Sequence, residues 1–291
     1  MPSSLQLVCV LLLGSMTASV LALEPDAQAI MKQVLGQKQQ YPYIYEEQSM
    51  ILIDKAGNRD VKNTRRYIRV DASGKVNVLL VFDSPEEVKG VALLASQQNN
   101  DAIQAGIYLP AFDNRMIATD GERSSEHFLG SDFSVFDLKP ERYDEYNYKR
   151  LQDEVIGEVS YYNIEATPVD DKILKQSGYS KRIHTIRKND LLIIRTRYFN
   201  RHGRHIKTLT QHEFKQYGTS FWQPDMILMD NLAEQHKTLI KTTERILSPD
   251  YVPPKMFSRQ WLFNHNHMAS TIQHIFDNTL TPEKPVQTND D

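Results

Sequence analysis

Hydrophobic residues recur along this chain at two different periods. Ala27, Ile30, Met31, Val34 and Leu35 fall at helical spacing within Glu24–Gln40, and Pro25 and Asp26 are placed to start a helix, which predicts a short amphipathic helix. From Tyr41 the period shortens to two. YIYEEQSMILID, VKNTRRYIRVD and KVNVLLVF, separated by the turn sequences KAGN and ASGK, read as three consecutive strands of an antiparallel meander. EEVKGVALLA, after Pro85, reads as a short helix or irregular segment, and IQAGIYLPAF with NRMIATDGE as a further hairpin. KRLQDEVIGEVSYYNIEATPV holds two strands, Tyr179 to Tyr217 three more with turns at KND and RHGRH, and PDMILMDNL and HKTLIKTTERIL follow. With about ten or eleven strands, few helices and no βαβ alternation, the chain is predicted to be mainly β, a large curved antiparallel sheet that is partly closed.

One departure from alternation bears on function. A strand wetted on one face alternates apolar and polar residues. MILI (50–53), VLLVF (78–82) and LLII (191–194) are instead apolar on both faces. Either helices and loops cover these strands, or one face lines an interior cavity, as in open barrels that hold apolar ligands.

Composition narrows the class. The 291 residues are 40% hydrophobic and 24% charged with a net charge of −3, which fits neither a disordered chain nor a bulk nucleic-acid binder. Leu5 to Leu13 is an apolar run too short to span a bilayer as a helix, and Val20 and Ala22 are the small residues a signal peptidase favours. Residues 1–22 are therefore expected to be a cleaved signal peptide, 23–265 a single domain, and 266–291 a C-terminal extension ending in a disordered tail. Cys9, the single cysteine, falls inside the signal, so the mature chain would lack disulfides, thiolate catalysis and cysteine-ligated metals.

The candidate chemistry is sparse. FLGSDFSVFDL (128–138) sets Ser131 and Ser134 near Asp132, Asp137 and His127, but a nucleophile elbow needs a glycine on both sides of the serine, and only Gly130 is present. The stretch reads better as a loop whose phenylalanines pack at a cavity mouth or in the core. His202 with His205, and His265 with His267, have spacings that can chelate a metal, yet no third ligand is identifiable and both pairs read as surface loops. Nine basic residues lie between Tyr179 and Leu209. Among them Arg195 and Arg197 share one strand face, and Arg201 and Arg204 sit at the RHGRH turn. They could dock anionic headgroups or an acidic partner, or form a solvated face balanced by the acids from Glu141 to Glu154.

FDSPEEVKGVALLA (82–95), IYLPAFDNRMI (107–117), EHFLGSDFSVFDL (126–138), YSKRIHTI (179–186) and HKTLIKTTERIL with VPPKMFSRQWL (236–262) together resemble the outer-membrane lipoprotein-sorting family, a LolA-like group of Gram-negative periplasmic proteins. The resemblance covers nearly the whole mature chain. It implies an incomplete antiparallel β-barrel with lid helices over an apolar cavity for acyl chains, no catalytic residues, no cofactor and no metal. The expected function is a periplasmic carrier for a lipid or lipid-modified protein. The alternative is an accessory or lipid-sensing module partnering an inner-membrane exporter of the RND/MmpL type. The expected walls are Met50, Leu52, Val78, Leu80 and Phe82 on the early strands, Phe128, Phe133 and Phe136 in the aromatic loop, and Trp222 and Met226 late in the chain. The helix at Glu24–Gln40 and the segment around Glu86–Leu94 would cover them, with Pro85 and Gly90 flanking a hinge.

Overall fold

The computed structural model describes residues 25–268 apart from 39–40, 98–102, 113–114, 119–123, 139 and 219–220, so the expected signal peptide and nearly all of the C-terminal extension lie outside the described residues. The chain opens with α1 (Ala27–Lys38), then β1 (Tyr43–Ile53), β2 (Arg59–Val70), β3 (Val76–Ser84), β4 (Ala92–Gln97), β5 (Ile103–Leu109) and β6 (Arg115–Ala118). After the aromatic loop come β7 (Tyr146–Arg150), β8 (Glu154–Ile156), β9 (Val159–Pro168), α2 (Asp171–Ser177), β10 (Tyr179–Arg187), β11 (Ile193–Asn200), β12 (His205–Tyr217), β13 (Phe221–Asn231), β14 (His236–Ile246) and the short α3 (Arg259–Phe263).

All the strand pairs are antiparallel, and the sheet runs β6-β5-β4-β3-β2-β1-β14-β13-β12-β11-β10-β9-β7, with β8 paired to β9. Each half is a meander, and the two meet where β1 pairs with β14. Among the described residues the edges β6 and β7 do not pair, so the sheet curls as an incomplete barrel without closing. The fourteen strands among the described residues exceed the ten or eleven expected for two reasons. The end of EEVKGVALLA (86–95), read as helix or irregular, instead extends the sheet as β4, in register with β3 from Val81 opposite Ala92. The region 146–168, read as two strands turning near Gly157, also holds a third, because β7 pairs with β9 ahead of the β8–β9 turn. Glu86–Leu94 is thus partly sheet and partly the turn leading into it, not a covering helix.

The tight turns follow one local rule. Asp54, Asp71 and Asn200 each accept two downstream backbone N–H groups on a side-chain oxygen, as from Ala56 and Asn58 at 2.8 and 2.9 Å. Three residues later Gly57, Gly74 and Gly203 take φ of 85°, 81° and 74°, a region that costs glycine nothing.

Strand β3 resolves the two-sided apolar pattern. Leu80 and Phe82 point to the concave face and pack with Met50, Leu52, Phe128 and Phe133, while Leu79 and Val81 point to the convex face beneath Val252, Met256, Trp261 and Leu262. Both faces are therefore covered by the protein's own segments. The C-terminal segment is pinned to the convex face by Arg69, donating to the Val252 carbonyl at 2.9 Å, and by Arg65, donating to the His267 carbonyl at 2.8 Å and to Asp83.

His267 makes that attachment sensitive to acid. Its ring is buried, and Nε2 donates to the Gly90 carbonyl at 2.9 Å. Burial dominates over that bond and, with His265 and Arg65 nearby, lowers its pKa from 6.5 to about 4. The unfolded chain therefore binds the proton first. The stabilisation is complete above about pH 6.5 and is lost as pH falls through 4, for a total of roughly 1–3 kcal/mol. Urea unfolding at pH 7.5 and 4.5 should show this loss in the wild type and a smaller one in His267→Gln, and equal losses would refute the assignment.

Candidate functional site: a lidded amphipathic cavity

On the concave side the sheet's two halves are filled differently. At one end the aromatic loop inserts. Phe128 and Phe82 lie 5.6 Å apart between ring centroids, and both are fully buried. Met50, Leu52 and Leu80 complete a solid core there, and Val78 is buried on the same face of β3. At the other end α1 lies across the sheet, its Ile30 and Met31 packed with Tyr146, Tyr148 and Ile164.

Between α1, the aromatic loop and the strands is a cavity of about 280 Å³. Val34 and Leu35 of α1 roof it, Ile44, Ile68 and Val76 form one wall, and Leu209, Phe214, Pro224 and Ile227 form the other. Of the residues expected to line a cavity, Phe133, Phe136 and Trp222 do so. Met50, Leu52, Leu80, Phe82 and Phe128 sit instead in the adjoining solid core. Met226 lies on the opposite face of β13 from Ile227, as alternation along a strand requires.

The cavity is also charged, which the sequence reading missed. Arg182 of β10 lines it with Asp137, Glu141 and His184. The Arg182 guanidinium, buried, donates from Nη1 to Glu141 Oε2 at 3.1 Å, and its Nη2 lies 3.9 Å from Asp137 Oδ1. The rings of Phe136, Tyr146, Tyr179 and Tyr198 surround its Cζ at 5.1–5.5 Å from their centroids. Burial opposes its charge, but Tyr146, Glu141 and their neighbours outweigh it, and its pKa lies well above the ordinary value. Burial also raises the phenols of Tyr146, Tyr179 and Tyr198, so all three stay protonated. A second charged group at the rim joins Arg66, Glu46, Arg245 and Asp225 across four strands.

The aromatic loop is a staple rather than a reaction centre. Ser131 donates its hydroxyl to the Phe128 carbonyl at 2.7 Å, and Ser134 donates to Asp137 at 2.9 Å. Asp132 is held by His236 and Thr238, each at 2.7 Å, and by Asn231 at 3.0 Å. Buried Lys207 donates to the Asp132 carbonyl and lies 3.0 Å from His127. Burial lowers the pKa of both Lys207 and His127. Neither serine hydroxyl meets an imidazole.

The basic hairpins disperse in three dimensions. Arg182 and Lys207 turn inward, Lys181 pairs with Glu165, Arg187 with Asp190, and Arg195 with Glu154. Arg197 is half-buried, while Arg201 and Arg204 stand exposed at the hairpin tip, where Arg201 reaches the Lys175 carbonyl at 3.4 Å. His202 is exposed at that tip and His205 bonds Thr208. No group of three or more His, Cys, Asp or Glu is placed to hold a metal ion among the described residues. No helix among them is long and apolar enough to cross a membrane.

With this geometry the fold is LolA-like. A family model described as "-like: Uncharacterized protein" matches residues 74–264, and the chain belongs to that family. No curated protein matches the sequence. Among solved structures, an outer-membrane lipoprotein-sorting protein domain from Vibrio parahaemolyticus superposes with a TM-score of 0.75 at 24% identity, over 81% of this chain and 98% of that one. A DUF1329 family protein from Desulfovibrio piger gives 0.69 at 22% identity, covering 80% of this chain and 99% of its own. A LolA superfamily protein from Nitrosomonas europaea gives 0.66 at 16%, covering 81% and 99%. These likenesses establish the architecture, the incomplete barrel that the sequence resemblance implied.

Proposed function

We propose that the protein is a non-catalytic carrier or binder of a lipid or lipid-modified protein, exported to the periplasm of a Gram-negative bacterium by residues 1–22. Residues 23–265 are its single working domain in this reading. The observation that carries it is the α1-roofed cavity, with apolar walls from both halves of the sheet, within a fold shared with a lipoprotein-sorting domain. Each buried methylene of an acyl chain contributes about 0.8 kcal/mol, so apolar walls alone hold a chain. At about 280 Å³ the cavity is at the small end of ligand sites, which span roughly 300–1,000 Å³. It suits part of one chain, and a larger load requires α1 to move.

Native mass spectrometry with lipid extraction, on protein purified gently from the periplasm, tests this. The wild type should carry lipid or acylated peptide, and Ile227→Lys, which puts a charge into the cavity wall and spares the solid core, should lose most of it. A lipid-free wild type that takes up no offered lipid or lipoprotein would overturn the reading. Charges at Leu80 or Phe82 would be a poorer probe, because those side chains hold the solid core together.

A further inference from the structure

The charged wall of the cavity is what apolar packing leaves unexplained. A buried guanidinium is tolerated when its donors are matched, and Arg182 is matched only in part. Among the described residues its Nε and Nη2 have no hydrogen-bond partner, and neither do Asp137 Oδ1 and the Tyr146 hydroxyl. Arg182 lines the cavity and its side chain is 6% exposed, so the unmatched donors are shut off from bulk solvent, and an occupant of the cavity reaches them when the rings around the guanidinium part.

The surrounding charges restrict what that occupant can be. Asp137 and Glu141 both flank the single guanidinium, so a carboxylate or phosphate brought to Arg182 would meet two fixed negative charges. A cationic group would meet Arg182 itself. A neutral acceptor takes the hydrogen bonds without either repulsion. The four rings around the guanidinium put apolar surface beside a hydrogen-bond donor, which matches the linkage at the head of an acyl chain, a flat polar group flanked by apolar surface. Resting on the carrier reading, we propose that Arg182 recognises the carbonyl of a neutral acyl linkage, ester or amide, and thereby favours acylated molecules over free fatty acids.

Four probes of matched length test this on the mature protein: methyl decanoate, N-methyldecanamide, decyl methyl ether and sodium decanoate, followed by the emission of Trp222 at the cavity wall. The ester and the amide should bind about tenfold or more tighter than the ether, because each gains charge-assisted hydrogen bonds that the ether forms poorly. Decanoate at pH 8 should bind no better than the ether. Arg182→Met combined with Glu141→Gln removes the donor together with the carboxylate it bonds, leaving Asp137 with its Ser134 and Tyr179 donors, and should lower ester binding to the level of the ether. Infrared spectra of ¹³C-carbonyl methyl decanoate supply a readout in the wild type alone: the carbonyl stretch should move to lower frequency on binding.

Equal binding of ester and ether, or an unshifted carbonyl, would mean that Arg182 only braces the aromatic wall, and would overturn the inference while leaving the carrier reading intact. Preference for decanoate would overturn it in favour of an anion site. Failure of all four probes to bind would remove the carrier reading and this inference together.

Discussion

Replacing Arg245 with methionine is expected to cost the fold about 3–5 kcal/mol, one of the two largest losses from a single substitution in this protein. The side chain is 2% exposed and joins three strands. It donates to Glu46 Oε1 and to Asp225 Oδ1 at 2.7 Å each, to the Pro224 carbonyl at 3.0 Å and to the Tyr217 hydroxyl at 3.1 Å. Methionine fills much of the volume, so the loss comes from stranded charge and not from a void. Glu46 would keep Arg66 and Gln48, and Asp225 would keep only the exposed Lys215. Urea unfolding measures the difference. Adding Glu46→Gln and Asp225→Asn to Arg245→Met should recover part of it, since the uncompensated carboxylates are then gone. A loss below about 1 kcal/mol would show that water reaches the network and screens it. Glu46 and Pro224 line the cavity beside Arg66, so the same substitution should also weaken ligand retention.

How far the chain could be read in advance depended on whether the signal was local. The α1 face was legible because five residues at helical spacing, Ala27 to Leu35, need only one partner surface, and all five are buried. The turns at Gly57, Gly74 and Gly203 were legible because the side chain that builds each lies within four residues of its bonds. The cavity walls were less so. Met226 and Leu228 are as apolar as Ile227 and Met229, so composition does not say which set faces inward, and a one-residue slip exchanges them. A residue with positive φ sits in the partner strand, Glu213 at 54°, but the register runs through it unchanged, with His212 opposite Met226 and Phe214 opposite Pro224. Arg182 was hidden for a different reason. A basic residue in a strand reads as an outward one, and nothing near YSKRIHTI announces that Glu141, forty-one positions away, meets it inside. The irregularity between Tyr179 and Lys181 also buries Tyr179 along with Arg182, His184 and Ile186, so alternation counted from Tyr179 sets the wrong residues on the inner face.

Asp132→Ala should detach the aromatic loop and lower stability by about 3 kcal/mol, from several interactions lost together. Three donors converge on its carboxylate: Asn231 on Oδ1, and His236 and Thr238 on Oδ2. Its own N–H donates to Thr238 Oγ1 at 2.8 Å, and its carbonyl accepts from Lys207 at 2.8 Å. All of these partners belong to β12, β13 and β14, so a single residue ties the loop to the far half of the sheet. Asp132→Asn should be nearly as damaging, because an amide offers only one acceptor oxygen to three donors and brings a second N–H₂ to a site already rich in them. The loss should be local first. Hydrogen exchange should show residues 128–136 losing protection at denaturant concentrations where β2 and β3 keep theirs. Phe133 and Phe136 are cavity walls on that loop, so copurified lipid should fall in parallel. If protection instead fell uniformly along the sheet, Asp132 would be one more core contact; if it did not fall at all, the loop would be held by its phenylalanines alone. The first outcome, local opening with loss of ligand, would identify the stapled loop as the movable wall through which a chain enters.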